Sequence, residues 1–288
     1  MGQGRDTMSL ITRDLKPRIG TEVITDIDTL VSGRHGPELR ALLVKRGVLI
    51  FRGLHDLTDE QQVAFAETIG TLRLEHGNST TKITADKAES PVFAEYALGT
   101  YSYHVDGTYS DTPGFASVLR PRVIAPEGGQ TQFCNTYALY DDLPDAEKGF
   151  FERLQAIHSG ETTMRIVFPN PTEEQLHAWR TYSPERTHPL VWEHETGRKS
   201  LLLATTIDRF IGMDRAESDA LLKRLLAMAE DEQYVYTHDW QMGDVLVWDN
   251  TGTMHRVVPF DQDCGRALTR VVLFGEEQVR GVRNPVAA

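Results

Sequence analysis

The chain has 288 residues, of which 40% are hydrophobic and 25% charged, a composition typical of a globular protein with a sizeable core. Its formal net charge of -12 opposes nucleic acid or an anionic membrane as a partner, because both need a basic surface. A small molecule is the expected partner. No apolar run reaches the roughly 18 residues that cross a bilayer, and with only Cys134 and Cys264 we expect a cytoplasmic protein with two free thiols.

The sequence of the N-terminal quarter predicts that it contains a tail, two helices and a strand. Residues 1–8 have the polar composition of a disordered tail. A helix is predicted over 36–46, with a proline in its first turn, and a buried strand over 47–53, where glycines bound an apolar run. Thr58 and Gln61 have the spacing of a capping box, which predicts a second helix after them.

In the middle of the chain, the sequence predicts a long loop, two strands and a helix. Residues 74–100 are polar without a sustained period, and such a segment often covers a site. Strands are predicted over 118–125 and 131–133 around a glycine-rich turn, and a helix over 144–156.

The rest of the chain combines an insertion with further strands. Residues 160–187 mix prolines, aromatic side chains and polar residues, which indicates a helical or loop insertion. The remaining predictions are strands over 189–192, 200–203, 244–248, 253–258 and 266–274, and a helix over 217–230 capped by Asp214. Strands on both sides of helical segments predict a mainly β protein with flanking helices, folded as a sandwich or barrel in a single domain over 9–288.

One short motif suggests a metal site. His104 and Asp106 are two residues apart, so in a strand both side chains lie on one face. His255, in a later strand, would complete a set of two histidines and one carboxylate, the arrangement of non-heme Fe(II) oxygenases. The same ligands are compatible with a zinc hydrolase, or with a binding module that holds no metal.

Two arginines in the last strand indicate an anionic ligand. Arg266 and Arg270 alternate with Leu268 and Val272 on one face, a pattern unusual for a solvated surface. A buried guanidinium needs an anionic partner, which a dicarboxylate co-substrate would supply. Pairing with some of the 42 acidic residues of the chain is the alternative.

The sequence resembles the TauD/TfdA family of Fe(II)/2-oxoglutarate-dependent dioxygenases. The resemblance runs from about residue 18 to 275 and is carried by five stretches, 47–53, 104–106, 128–133, 248–255 and 266–270. It implies a double-stranded β-helix (a jelly roll, as in cupins) that uses Fe(II), 2-oxoglutarate and O₂, releases succinate and CO₂, and hydroxylates or oxidatively cleaves a small substrate. It also implies a homo-oligomer, a dimer or tetramer.

The resemblance also implies roles for individual residues. His104, Asp106 and His255 match the iron ligands, while Thr131 and Arg266 match the residues that hold the distal carboxylate of 2-oxoglutarate. Arg270 matches the second arginine of the family, near the chelating end of 2-oxoglutarate, which often meets an anionic substrate group. A carboxylate or sulfonate substrate is therefore favoured. The chain departs from the family pattern at three positions that alter the pocket walls: Tyr103, Val105 and Gln130.

Several further residues are candidates for substrate contact. Tyr101, Tyr103 and Tyr109 surround the first two ligands and are expected either to line a substrate pocket or to pack in the core. His76 lies in the polar loop, in a region where relatives contact substrate, and a solvated loop histidine is the favoured alternative. We interpret His158 as a structural, hydrogen-bonded histidine rather than a fourth ligand.

Overall fold

The computed structural model describes residues 10–284 except 87, 90–93 and 95, so the tail predicted over 1–8 lies outside the described residues. The described strands are β1 (Ile11–Asp14), β2 (Thr21–Ile24), β3 (Val48–Phe51), β4 (Leu72–Arg73), β5 (Thr81–Thr84), β6 (Ala116–Val123), β7 (Thr131–Asn135), β8 (Gln155–His158), β9 (Arg186–Pro189), β10 (Val191–Glu193), β11 (Lys199–Leu201), β12 (Ile207–Phe210), β13 (Val235–His238), β14 (Val245–Asp249), β15 (Thr253–Val257) and β16 (Ala267–Leu273).

The described helices include those predicted over 36–46, after Thr58 and over 217–230. They are α1 (Ile27–Val31), α2 (Gly36–Arg46), α3 (Asp59–Ile69), α4 (Thr136–Asp141), α5 (Asp145–Phe151), α6 (Gly160–Val167), α7 (Glu173–Tyr182) and α8 (Arg215–Ala229), with short 3₁₀ turns at Ala97–Tyr101 and Gln262–Cys264. The predicted capping box of α3 is present at Thr58 and Gln61, and a second one begins α8 at Asp214.

The largest sheet in the described part of the chain has eight strands in the order β1-β2-β3-β14-β6-β16-β4, with β5 also paired to β16. Its central strands β3 and β14 are buried throughout, so side chains on both faces of the sheet pack in a core. In β14, Val245 and Val247 pack with Phe65 and other side chains of α2 and α3. Leu246 and Trp248 point to the opposite face.

A second sheet covers that opposite face. It has the order β13-β7-β15, and Phe133 of β7 joins Leu246, Trp248 and Leu268 of the large sheet in one core cluster. Two sheets that enclose a core, with helices packed outside, form the jelly roll expected of a double-stranded β-helix. The predicted fold class, mainly β with flanking helices, is confirmed.

The segment 160–187 is largely helical. Met164 of α6 packs with Leu176 and Trp179 of α7 in a small core of its own, and β9 follows. The helical insertion expected here is thus two helices that bury apolar side chains against each other.

Two element predictions need correction. The helix predicted over 144–156 ends at Phe151, and Gln155–His158 form β8 instead, because β8 pairs with both β9 and β12. The segment 74–100, predicted as a loop, contains β5, whose four residues are held by pairing with β16. In both places long-range strand pairing overrides the local pattern.

Candidate active site

The three predicted metal ligands meet, although not by the strand geometry expected. His104 lies in an isolated bridge to His255 of β15, with backbone hydrogen bonds of 3.0 and 2.9 Å between the two residues. Asp106 opens a turn in which Gly107 has a φ of 81°. One ligand atom from each of the three side chains lies within 4.8 Å of the others.

The ring orientations suit metal binding. His104 Nδ1 lies 2.9 Å from the Ser102 carbonyl oxygen and donates to it, which leaves Nε2 as a free lone pair 3.7 Å from Asp106 Oδ1. His255 Nε2 lies 3.9 Å from Asp106 Oδ2. Two imidazole nitrogens and a carboxylate around one point are a donor set that fits Fe(II) and also zinc.

Asn250 fixes the position of Asp106. Its Oδ1 accepts from the Asp106 backbone N–H at 2.9 Å, and its Nδ2 donates to the carbonyls of Asp106 and Gly114, each at 2.9 Å. Asn250 follows β14 directly and is buried. The turn that carries Asp106 is therefore attached to the end of a central strand.

His104, Asp106 and His255 form the metal-ligand triad. Its electrostatics favour a neutral imidazole at His255 beside a carboxylate anion at Asp106. Burial, together with the neighbouring His104, lowers the pKa of His255 to about 3. Burial opposes ionisation of Asp106, but nearby His255, Arg270 and His104 outweigh it, so the pKa of Asp106 is lowered. Both groups are thus in the protonation states that bind a divalent cation.

Two cavities meet at this centre. The larger, about 480 Å³, opens between α6, α7 and the loop after β4; the smaller, about 100 Å³, reaches inward past His255 to Arg266. His104, Asp106 and Arg270 line both. A metal at the triad would face each cavity.

Arg266, at the inner end of the smaller cavity, is a buried cation without an anion. The described chain buries three arginines, and Arg46 and Arg120 each pair with a carboxylate. Arg266 donates to the Gly129 carbonyl at 2.9 Å and lies over the Phe260 ring, and no described carboxylate pairs with it. Burial lowers the pKa of Arg266 to about 10, so it remains charged and needs an anionic ligand.

Arg270 has different surroundings. Its guanidinium contacts both carboxylate oxygens of Glu75, the closest at 2.8 Å, and lies 3.4 Å from Asp106 Oδ2. Burial would lower the pKa of Arg270, but Asp106 and Glu75 raise it. Pairing with protein carboxylates, the alternative considered for both arginines, therefore holds for Arg270 and not for Arg266.

Thr131 lies in β7, near the smaller cavity but not among the residues that line it. Its hydroxyl accepts from Trp240 Nε1 at 3.1 Å, and its strand partner Val257 does line that cavity. The hydroxyl hydrogen of Thr131 remains able to donate to a ligand.

The candidate substrate residues divide into two groups. His76 and Tyr109 line the larger cavity. Tyr103 does not; it is buried in the core with the Arg256 guanidinium over its ring, because it precedes the bridge residue His104 and points the other way. Tyr101 packs against Phe260 beyond the inner cavity and lines neither one.

Other residues at the site were missed by sequence reasoning. Glu75 and Tyr182 line the larger cavity, and Asn250 anchors Asp106. Asn250 stands in the stretch 248–255 that carries the family resemblance, but no role was predicted for it. No local signal identifies Glu75 or Tyr182, because each reaches the site through long-range packing.

The family model "Taurine catabolism dioxygenase TauD, TfdA family" matches residues 11–272. The chain belongs to the TauD/TfdA family. This membership decides among the three chemistries that the ligand set allowed: the chain is a dioxygenase that uses Fe(II), 2-oxoglutarate and O₂, not a zinc hydrolase or a silent binding module.

Individual members of the family are similar to this chain over most of their length. An alkylsulfatase of Acinetobacter baylyi is 33% identical over 278 residues, covering 94% of this chain and 86% of the relative. An (S)-phenoxypropionate/alpha-ketoglutarate-dioxygenase of Delftia acidovorans is 30% identical over 262 residues, covering 84% and 87%. The solved structure of AAD-2 in complex with Mn(II) and N-oxalylglycine is similar with a TM-score of 0.81 at 29% identity, covering 95% of this chain and 100% of that one.

No helix of the described residues has the length and apolar character that crossing a membrane requires. The two cysteines are free, as expected, and His158 donates or accepts a hydrogen bond with the Thr206 hydroxyl at 2.9 Å.

Proposed function

We propose that this dioxygenase holds Fe(II) with His104, Asp106 and His255 and oxidises a small organic substrate bound in the larger cavity. The observation that carries the proposal is the convergence of these three side chains at the junction of two cavities. The bound metal and co-substrate supply O₂ activation, with oxidative decarboxylation of 2-oxoglutarate to succinate and CO₂.

The smaller cavity is the proposed site of 2-oxoglutarate. One carboxylate of the co-substrate would pair with Arg266, whose guanidinium provides two parallel N–H donors at the inner end. Thr131 donates its hydroxyl to the same carboxylate in this proposal. The other end of the co-substrate then lies towards the triad, where His104 and Asp106 face the cavity.

The larger cavity suits an organic substrate in size and lining. About 480 Å³ lies within the range of ligand sites in proteins, and the walls include Tyr109, Trp179 and Tyr182. These aromatic side chains pack against an apolar body and shield it from water, while Asp106 and Arg270 mark the end nearest the proposed metal. The substrate carbon that faces His104 and Asp106 is the one expected to be oxidised.

The substrate class favoured by the sequence is a carboxylate or sulfonate. The relatives named above act, by their names, on a sulfate ester or a phenoxypropionate, which supports a carboxylate or sulfonate as substrate. Arg270 was the residue expected to meet that anionic group, and Glu75 already pairs with it.

The metal assignment is tested by spectroscopy without O₂. Adding Fe(II) and 2-oxoglutarate to the purified protein should produce a weak visible charge-transfer band, and His255→Ala should abolish it because one of three ligands is lost. His177→Ala, at an exposed position on α7, is the matched control and should retain the band. A band of undiminished strength in His255→Ala would refute the assignment.

A further inference from the structure

We propose that Glu75 is a specificity-determining residue: it neutralises Arg270, so the larger cavity selects a substrate that is uncharged or cationic at the end nearest the metal, and discriminates against an anion there. This inference rests on the proposed function, because it takes that cavity as the substrate site. It replaces the carboxylate or sulfonate favoured by the sequence with a hydroxyl, amide or ammonium group.

The Glu75–Arg270 pair is a bidentate contact. Glu75 Oε1 lies 2.8 Å from Arg270 Nη2, and Oε2 lies 3.1 Å from Nη2 and 3.3 Å from Nε. Arg270 Nη1 is also within 3.4 Å of Asp106 Oδ2. Because Glu75 already balances the single positive charge of Arg270, the guanidinium has no uncompensated charge to offer a substrate anion.

The fold holds Glu75 at this position. Strands β4 and β16 are antiparallel, with Leu72 opposite Leu273 and Arg73 opposite Val272. The chain leaves β16 after Arg73 and pairs with it again at Thr81, which lies opposite Arg270. Glu75 lies in the short segment between these two strands, which starts and ends within two residues of Arg270 along β16.

A tight turn closes immediately after Glu75. Its backbone N–H and carbonyl pair with those of Asn78, at 2.9 and 3.0 Å. The central residues of the turn, His76 and Gly77, have φ values of 51° and 82°, as in the two-residue turns that join antiparallel strands. The backbone of Glu75 is thus held by the turn, and its side chain is held by the contact with Arg270.

The charges that line the larger cavity give no surplus for an anion. Among the described residues, the lysine and arginine side chains that line this cavity are Lys82 and Arg270. Lys82 pairs with Glu89 and Arg270 pairs with Glu75, and both carboxylates line the same cavity. Asp106 adds a further negative charge. In the proposed complex the formal charges of Arg266, Fe(II), Asp106 and 2-oxoglutarate sum to zero, so an anionic substrate group would meet Glu75 without a surplus cation.

A neutral donor or an ammonium would fit better. Glu75 has carboxylate lone pairs left over after its contacts with Arg270, and these accept hydrogen bonds. Tyr109 and Tyr182, which line the same cavity, provide a polar but uncharged surface around the remaining substrate. The site therefore recognises a hydrogen-bond donor where a carboxylate-binding site would present a free arginine.

The test compares an anion with its uncharged analogue. Binding of 2-phenoxypropionate and of its amide is measured by calorimetry on the anaerobic holoenzyme with Fe(II) and 2-oxoglutarate. The wild type should bind the amide at least tenfold more tightly than the carboxylate. Glu75→Gln frees Arg270 and should strengthen carboxylate binding at least tenfold, while the affinity for the amide changes little.

Glu161→Gln is the matched control, since it removes a carboxylate that pairs with two arginines on the insertion. It should leave both affinities unchanged. A wild type that prefers the carboxylate overturns the inference. A Glu75→Gln variant that gains no affinity for the carboxylate also overturns it, including the case in which the wild type binds neither probe. The charge-transfer band and the melting temperature of each variant report the cofactor site and the fold separately, so failure of the proposed function is recognised by a missing band.

Discussion

Arg266, which directly precedes β16, and Arg270, within β16, both line the smaller cavity, yet their environments give them opposite roles. Glu75 and Asp106 already neutralise Arg270, whereas Arg266 has a carbonyl and an aromatic ring as neighbours. An unpaired buried charge destabilises the folded protein until a ligand arrives. Pairing of the Arg266 guanidinium with an anionic ligand therefore contributes favourable free energy to the binding of that ligand.

The first prediction concerns Arg266. Arg266→Gln should raise the dissociation constant of 2-oxoglutarate at least a hundredfold, because a charge-assisted bidentate contact is lost. The unliganded variant should be as stable as the wild type or more so, since a buried unpaired charge is removed.

Arg120→Gln provides the contrast for this variant. Arg120 is equally buried but pairs with Asp59, at 2.7 Å, and donates to the Leu57 carbonyl. The Arg120→Gln variant should lose about 3 kcal/mol of stability and keep its affinity for 2-oxoglutarate. Urea unfolding and calorimetry measure the two quantities. A large destabilisation in Arg266→Gln would show that Arg266 is structural.

The second prediction concerns the support of Asp106. Asn250→Ala leaves the backbone groups of Asp106 and Gly114 without partners and lets the turn move, so metal affinity should fall about 10- to 100-fold. Asn135→Ala also removes a buried hydrogen-bonded amide, which caps α4 and donates to Arg18. It should destabilise the protein by about 1–3 kcal/mol without weakening metal binding. Equal loss of metal affinity in both variants would contradict the role of Asn250.

At the scale of elements, β8 places a titratable group in the core. His158 is buried between β9 and β12, hydrogen-bonded to Thr206, with the His188 ring 5.6 Å away. Burial, with a smaller contribution from His188, lowers the pKa of His158 to about 3. The imidazole is therefore neutral in the folded protein at any pH near neutrality.

The third prediction follows from the direction of this shift. The unfolded chain binds a proton at His158 below pH about 6.5 while the folded chain does not, so this contribution to stability is complete above pH 6.5 and is lost as the pH falls towards 3. The expected loss is about 1.4 kcal/mol for each pH unit below 6.5. Urea unfolding at pH 5.0 and 7.0 measures it, and His158→Gln should reduce the difference by about that amount per unit. An unchanged pH dependence in the variant would contradict the assignment.

At the scale of the whole molecule, the two cavities separate the co-substrate from the substrate. Both end at the triad, so a ligand in the smaller cavity leaves the larger one open. The residues between them come from a bridge, a turn and two strands, so the site exists only when both sheets are assembled. The dimer or tetramer expected from the family stays a prediction, which light scattering would check against the 32.4 kDa chain.

The fourth prediction uses this dependence of the site on the complete fold. Because the ligands bind the folded chain alone, Mn(II) with 2-oxoglutarate at about 100 times its dissociation constant should add about 2.7 kcal/mol of stability. The melting temperature should then rise by about 5–10 °C. Differential scanning calorimetry measures the shift. The rise should require both ligands and disappear in Arg266→Gln; a full shift with 2-oxoglutarate alone would place its binding outside the metal centre.

The local parts of the fold could be predicted because local physics determines them. The capping boxes at Thr58 and Asp214 and the glycine-bounded run at 47–53 became a helix start, a second helix start and a buried strand. The ends of β8 and the existence of β5 could not be predicted in this way. Those strands are held by partners distant in sequence, and a four-residue pattern does not encode a partner.

The sequence by itself indicated the family, because the motifs that carry the resemblance are residue types in short local stretches, and through that resemblance it predicted the fold class, the cofactors and the candidate ligands. Only the tertiary structure decided that Arg270 is neutralised and that Arg266 is not. Glu75 and Arg270 are 195 positions apart, and they meet because β4 and β5, on either side of Glu75, both pair with β16. The charge that a substrate encounters depends on this long-range pairing, and no local pattern specifies it.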